Sequence, residues 1–301
     1  MNRGRGRMAI SWKRKAAQTE TVRSPAVAGS FYPDSPKVLS AQVGKFIDDA
    51  ALHESDGTLI GLIAPHAGYV YSGHVAGYAY KQLMGQSFDT VVLLGLSHRY
   101  RIDGAAIYAR GAFRTPLGNI QIDEDLAAEI MRLNSNIVDL PPTHANEHSL
   151  EVQLPFLQYL LSDFRIVPIL LQDDSPENVV PLSQAIAEVM SDRFCLLIGS
   201  TDLCHYPTYE AARKSDQVVI EAIEHFDSDY LRQQMDEYMR IHPTQNFHCM
   251  MCSTGAIYTT MRAAKALGGN RLEVLKSANS GDVPIGGRDQ VVGYMAVGIY
   301  R

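Results

Sequence analysis

Three apolar runs in this chain each stop at a short polar cluster that contains a histidine. Residues 58–64 (TLIGLIA) give way to Pro65-His66-Ala67-Gly68-Tyr69. Residues 88–94 (FDTVVLL) give way to Gly95-Leu96-Ser97-His98. Residues 194–198 (FCLLI) give way to Gly199-Ser200-Thr201-Asp202-Leu203-Cys204-His205. A lone histidine after a strand is most often a hydrogen-bonded structural residue, because buried polar groups nearly always find partners. Three of them change the reading. Imidazole is both a metal ligand and a proton carrier near neutral pH. In open α/β sheets, ligands bind beyond the carboxyl ends of the strands. His66, His98 and His205 therefore have one natural place to meet.

Asp202 stands three residues before His205. If a helical turn begins there, the two share a face. The carboxylate can then orient the imidazole, or His205 can serve as general acid or base. The plainer alternative is that Ser200 or Thr201 caps a helix and Asp202 lies in its first turn, where the dipole favours an acid. A second cluster, Glu147-His148-Ser149-Leu150-Glu151, sits just before an apolar stretch. Ser149 is a candidate helix cap, with Glu147 and His148 at the polar entrance as site-lining residues. Tyr69 and Ser97 line the same region beside His66 and His98. Cys249 and Cys252 form a Cys-x-x-Cys pair. Alone it is a weak zinc signal, since a structural site wants a second pair at standard spacing. Cys252 precedes an apolar helical pattern, and a helix N-terminus lowers a thiol pKa. It is the better thiolate candidate. His74 and His144 read as structural.

These clusters need a frame, and the apolar runs supply it. Residues 164–171, 272–276 and 291–300 add further strand candidates. The runs are near-continuously apolar, which suits strands covered on both faces. Helical patterns lie between them at 35–52, 123–134, 149–162, 176–191, 212–239 and 252–267. Residues 104–117 read as a hairpin-like excursion. Such alternation predicts a single α/β domain with a mainly parallel central sheet and helices on both faces. The domain is expected over residues 23–301. Residues 1–22 carry Arg3, Arg5, Arg7, Lys13, Arg14 and Lys15 with few large apolar groups, and read as a disordered, removable basic tail.

Composition excludes several classes. The chain of 301 residues is 46% hydrophobic with a net charge of −6, so it has ample core material and no basic excess for nucleic acid. Four cysteines are too few for a disulfide framework, which favours the cytoplasm. No apolar run is long enough to span a membrane. There is no P-loop, Rossmann fingerprint or Gly-x-Ser-x-Gly elbow.

The motifs also carry a resemblance. Ala28-Gly29-Ser30-Phe31-Tyr32-Pro33, Ala64-Pro65-His66-Ala67-Gly68-Tyr69 with Tyr71-Ser72-Gly73, Gly95-Leu96-Ser97-His98, Thr115-Pro116-Leu117-Gly118, Glu147-His148-Ser149-Leu150-Glu151 and Asp202-Leu203-Cys204-His205 occur in the order of the MEMO family. Ser280-Gly281-Asp282 and Val292-Gly293-Tyr294 also fit. Prokaryotic members are called AmmeMemoRadiSam system protein B. The resemblance implies a fold like that of class III extradiol dioxygenases, whose non-haem iron is held by two histidines and a glutamate. In MEMO proteins a cysteine takes the third place. Carried over, the ligands are His66, His98 and Cys252, and His205 with Asp202 takes the acid–base position. Ser253 follows Cys252 where the family usually has glycine. Eukaryotic members are linked to motility signalling, phosphopeptide binding and copper or iron binding.

Two imidazoles suit iron, copper or zinc, and a thiolate favours softer ions such as copper(I). Three functional readings follow. The first is a metal-dependent redox enzyme of dioxygenase-like fold. The second is a binding module that captures a peptide or small ligand on a degenerate enzyme fold. The third is a zinc hydrolase built on His66, His98 and Asp202. The family name implies a radical SAM partner.

Overall fold

The computed structural model describes residues 21–243 and 248–301. Residues 1–20, most of the expected tail, lie outside the described residues. Thr21 and Val22 belong to the fold, two residues ahead of the expected boundary. Val22 pairs with Ala112 in a short strand, and the Thr21 carbonyl accepts from the Ala112 N–H at 3.1 Å.

That strand is β1 (Val22–Arg23). The chain continues through α1 (Pro36–Asp49), β2 (Leu59–Ala64), α2 (Tyr69–Lys81), β3 (Thr90–Leu96), β4 (Ala105–Ile107), β5 (Ala112–Thr115) and β6 (Gly118–Gln121). Then come α3 (Glu124–Leu133), β7 (Ile137–Asp139), α4 (Pro141–His144), α5 (Leu154–Leu160), β8 (Arg165–Leu171), α6 (Pro176–Met190) and β9 (Cys195–Ser200). The last elements are α7 (Tyr209–Ile223), α8 (Ser228–Ile241), α9 (Thr254–Ala266), β10 (Arg271–Asn279) and β11 (Gly293–Tyr300).

The main sheet has the order β10-β11-β2-β9-β3-β8-β4-β7. Its centre is parallel: β2 pairs with β9, β9 with β3 and β3 with β8. Its flanks are not. β10 and β11 add antiparallel beside β2, and β4 adds antiparallel beside β8. The expected parallel sheet is therefore the core of a mixed one. A second small sheet joins β1, β5 and β6. Its β5–β6 hairpin turns at Thr115 and Gly118, inside and just beyond the predicted excursion.

Alternate residues of a strand face opposite sides, and here both sides are core. In β3, Val91 and Leu93 pack into one cluster with α1, α2 and α5, while Val92 and Leu94 pack into the other with α6, α7 and α9. This double burial explains the uninterrupted apolar runs. Each fully buried aliphatic side chain contributes about 1.5–3 kcal/mol.

Two local readings need correction. The predicted helix over 212–239 is two helices, α7 and α8. Phe226 between them adopts a left-handed φ of 52°, and the Asp227 carboxylate caps α8 by accepting from the N–H groups of Asp229 and Tyr230. No glycine marks that stop, so the usual signal is missing. Ser149 does not cap a helix either. Its hydroxyl donates to the Leu96 carbonyl at 2.7 Å, tying the 145–150 loop to the end of β3.

That loop is anchored from the far end of the chain. The Arg23 guanidinium is buried against Phe113, with its carbon 5.0 Å from the ring centre. It donates to the carbonyls of His144 and Glu147 and pairs with the Glu151 carboxylate. Glu151 is itself buried and also accepts from Ala26 N–H, Val27 N–H and the Tyr32 hydroxyl. Removing one partner of such a pair strands the other charge. Arg23→Ala is expected to cost about 3–5 kcal/mol, measured by urea unfolding; a loss under about 1 kcal/mol would place the pair among weak, solvent-screened ones.

Candidate metal centre

β2, β9 and β3 are neighbours in the sheet, and their carboxyl ends deliver the predicted residues to one place. His66 follows β2, His98 follows β3, and Asp202 and His205 follow β9. All four line one cleft of about 590 Å³. The expectation that the three strand-end histidines share a site is met. The helical turn that would put Asp202 and His205 on one face is not formed. Residues 201–204 instead carry no regular secondary structure, and His205 bridges to Val292. The Leu203 N–H donates to the Gly293 carbonyl, the His205 N–H to the Cys249 carbonyl, and the Cys252 N–H to the Asp202 carbonyl.

His148 joins the group from the anchored loop. One ring nitrogen each of His66, His98 and His148 lie within 4.8 Å of one another. The His98 and His148 rings stack at 4.4 Å, and the His66 ring meets both edge-on. The arrangement was half legible: Glu147-His148 stood out as a cluster, but not as a source of a third donor.

Hydrogen bonds decide which nitrogen each ring presents. The Ser200 hydroxyl donates to the Ser149 carbonyl at 2.6 Å, so toward His66 it can only accept. It lies 3.0 Å from His66 Nδ1, which therefore carries a proton, and Nε2 faces the Cys252 sulfur. The Glu147 carboxylate lies 2.9 Å from His98 Nδ1 and fixes that ring the same way. The Leu203 carbonyl, 3.0 Å from His205 Nδ1, does so for His205. A carboxylate or carbonyl on the rear nitrogen is the usual support of a metal-bound imidazole.

Glu147 is the hub behind the rings. It accepts from the N–H groups of His98, His148 and Ser149 at 2.6, 2.7 and 2.8 Å. Burial opposes its charge, but His98 and these donors hold its carboxyl down to about 2. His148 is pushed down to about 3 by burial and by the neighbouring His66 and His98, so its lone pair is available. Burial would also lower His66; the Cys252 sulfur and the Asp202 carboxylate instead hold it up to about 9. Burial lowers His205, with Asp202 opposing.

Asp202 Oδ1 accepts from the His66 backbone N–H at 2.8 Å, and Oδ2 is 3.9 Å from Nε2. Cys252 Sγ stands 3.4 Å from His66 Nε2 and accepts from the Asp202 N–H at 3.3 Å. Cys252 precedes α9 by two residues, with Ser253 at the cap position. Cys249 Sγ contacts His205 Nδ1 at 3.6 Å, and burial pushes its thiol up to about 12. All four cysteines are free. Glu147, Tyr69 and Ser97 are buried behind the cleft rather than lining it. The Tyr69 hydroxyl donates to the Val152 carbonyl, and Ser97 Oγ accepts from the Tyr100 N–H.

The donor set fits a metal ion. The rings converge, the rear nitrogens of His66 and His98 are taken, and His148 is held neutral, while His66, held up to about 9, gives up a proton when an ion binds. The match with known proteins agrees with the motif order. The family model described as Memo-like protein matches residues 23–298. The chain belongs to this family. A MEMO1 family protein of Methanopyrus kandleri is 40% identical over 290 residues, covering 91% of this chain and 98% of that protein. One from Methanosarcina mazei is 37% identical, covering 92% of this chain and 98% of its own length. One from Saccharolobus solfataricus is 35% identical, with 91% and 98% covered. The Memo-like match begins at Arg23, the residue that anchors the site loop.

His144 shares this anchor without reaching the cleft. It is buried with Nε2 3.2 Å from the Ala106 carbonyl, and burial pushes it down to about 3. Below its ordinary value of 6.5 the unfolded chain takes up a proton that the folded His144 refuses. Stability is therefore lost as pH falls from 6.5 toward 3. His144→Gln should remove that component. Unfolding midpoints at pH 7 and pH 4.5 should separate less in the variant than in the parent. Equal separation would show that His144 does not stay neutral.

Proposed function

We propose that the cleft is a metal centre that performs redox chemistry on a small ligand. His66, His98 and His148 supply nitrogen donors, and Cys252 supplies sulfur from the His66 side. The observation that carries this reading is the convergence of one ring nitrogen each of His66, His98 and His148 within 4.8 Å, with Ser200 and Glu147 holding the rear of His66 and His98. Three imidazoles with one thiolate suit iron, copper or zinc, with the sulfur favouring softer ions; iron or copper is the redox-active choice. An ion held by these residues would supply a Lewis acid and an electron couple to the ligand.

The chain's own residues do the rest. Glu147 and Ser200 orient the donor rings. Asp202 fixes the turn that carries His66, through the His66 N–H. His205 keeps its proton on Nδ1 and offers Nε2 in the cleft as a base, which burial keeps uncharged. That neutral base beside the donor cluster favours turnover over simple capture of a peptide or small ligand.

Metal titration of protein purified without an affinity tag, under anaerobic conditions, tests the assignment. His66→Ala should abolish tight binding. Cys252→Ser should weaken copper(I) more than zinc, and Cys249→Ser should leave both unchanged. Glu147→Gln should cost about 10–100-fold in affinity, as loss of a supporting partner does. Parent-like binding by His66→Ala would contradict the reading. Parent-like copper(I) binding by Cys252→Ser would remove the sulfur donor and leave a purely histidine site.

A further inference from the structure

β7 ends the main sheet, and among the described residues no strand pairs with its outer edge. Its two faces differ. Ile137 is buried in the core, whereas Val138 is 46% exposed. Leu140, just past the strand, is 37% exposed, and its N–H donates to the Ile107 carbonyl at 3.0 Å, continuing the pairing with β4. Alternate residues of a strand share a face. Val138 and Leu140 thus form a bare apolar strip on the edge of the sheet. Proteins ordinarily cover or charge such an edge, because it is a template for another strand.

The described fold begins beside this strip. The Tyr108 hydroxyl donates to the Thr21 carbonyl at 3.4 Å, and the Ala112 N–H donates to it at 3.1 Å. Gly111 packs on the same carbonyl: a Cβ there would lie 2.0 Å from its oxygen. The Ala109 N–H in turn donates to Asp139 Oδ1 at 3.2 Å. Followed backward from Thr21, the course along residues 111–108 leads to β7. The surroundings are acidic. The Gly111 N–H donates to Glu124 at 3.0 Å, and Glu124, Asp125 and Asp139 are exposed, with Arg110 the opposing cation.

The sequence ahead of Thr21 is complementary on both counts. Met8, Ile10 and Trp12 alternate with Ala9 and Ser11, the period that puts all three on one face of an extended chain. Lys13, Arg14 and Lys15 follow, and Glu20 is the only acid before Thr21. Residues 12 to 21 can span about 30 Å when extended, ample for the course from Thr21 past Tyr108 to Leu140.

We infer that residues 8–15 dock on the open edge of β7, with Ile10 and Trp12 covering Val138 and Leu140, and Lys13, Arg14 and Lys15 set against Glu124, Asp125 and Asp139. The occupant is the chain's own amino-terminal segment. Main-chain pairing along the edge supplies affinity, and the alternate apolar side chains supply register. The basic segment is then a part of the fold, contrary to the removable tail expected from composition. It also fastens β1, and with it Arg23, from the amino-terminal side.

Trp12 is the only tryptophan in the chain, so its fluorescence reads the contact in the full protein. Emission should lie to the blue of that of the same protein unfolded in urea, and acrylamide should quench it less. The double variant Val138→Lys/Leu140→Lys alters exposed side chains, so circular dichroism should be unchanged while Trp12 emission moves to the unfolded position. Ile10→Asp lies outside the described fold and should release Trp12 in the same way. Lys13→Glu/Lys15→Glu should raise the quenching. Parent emission already at the unfolded position would overturn the inference. So would a blue-shifted emission that the β7 double variant leaves in place; its loss instead in Phe194→Lys would move the docking site to the exposed Phe194 at the start of β9. A blue shift that disappears on dilution, together with a dimer in sedimentation, would replace the chain's own segment by that of a second copy.

Discussion

The buried ion pair between Arg23 and Glu151 fixes the loop that carries Glu147 and His148 into the cleft. It joins the first described strand to a loop more than a hundred residues later, through contacts on both the side chain and the carbonyls of His144 and Glu147. Buried pairs are poor sources of net stability, because desolvation offsets much of the attraction. Their use here is geometric. Glu151 also takes the N–H groups of Ala26 and Val27 and the Tyr32 hydroxyl, so one carboxylate fixes two segments. With the loop held, Glu147 can reach His98 and three backbone donors at once. The histidines are thus oriented from behind, by a framework with no freedom to follow them.

The electrostatics follow from that framework. Glu147 stays ionised despite burial because the donors around it stabilise charge more than water loss penalises it. The same burial keeps His148 neutral. One carboxylate and one uncharged imidazole on adjacent residues give opposite responses to a shared environment. The protein uses the first to hold rings and the second to present a lone pair.

Much of this was readable beforehand, for a physical reason. Strands buried on both faces must be apolar at every position, so the central runs and their ends were conspicuous. So were His66, His98 and His205, since polar residues after such runs fall at the sheet's carboxyl edge. The antiparallel flanks were hidden, because strand direction leaves no mark on an apolar run. α2 was hidden too. It opens Tyr-Val-Tyr-Ser-Gly, poor helix formers, and its glycines answer to packing: a Cβ on Gly73 would lie 2.4 Å from the Phe46 ring. Arg23 read only as the first residue of the expected domain, since nothing local reveals a partner so distant in sequence. His148 followed no strand, so its part in the donor cluster depended on a loop whose anchor was equally invisible. Ser200 signalled no more than a helix cap; its hydroxyl matters instead through its hydrogen bond to His66.

X-ray absorption at the metal edge of the iron- or copper-loaded protein tests the central claim most directly. The account predicts imidazole scattering from nitrogen ligands together with a longer sulfur shell, and in His66→Ala the loss of that shell along with the bound metal. A first shell of oxygen alone, or one unchanged by that substitution, would contradict it.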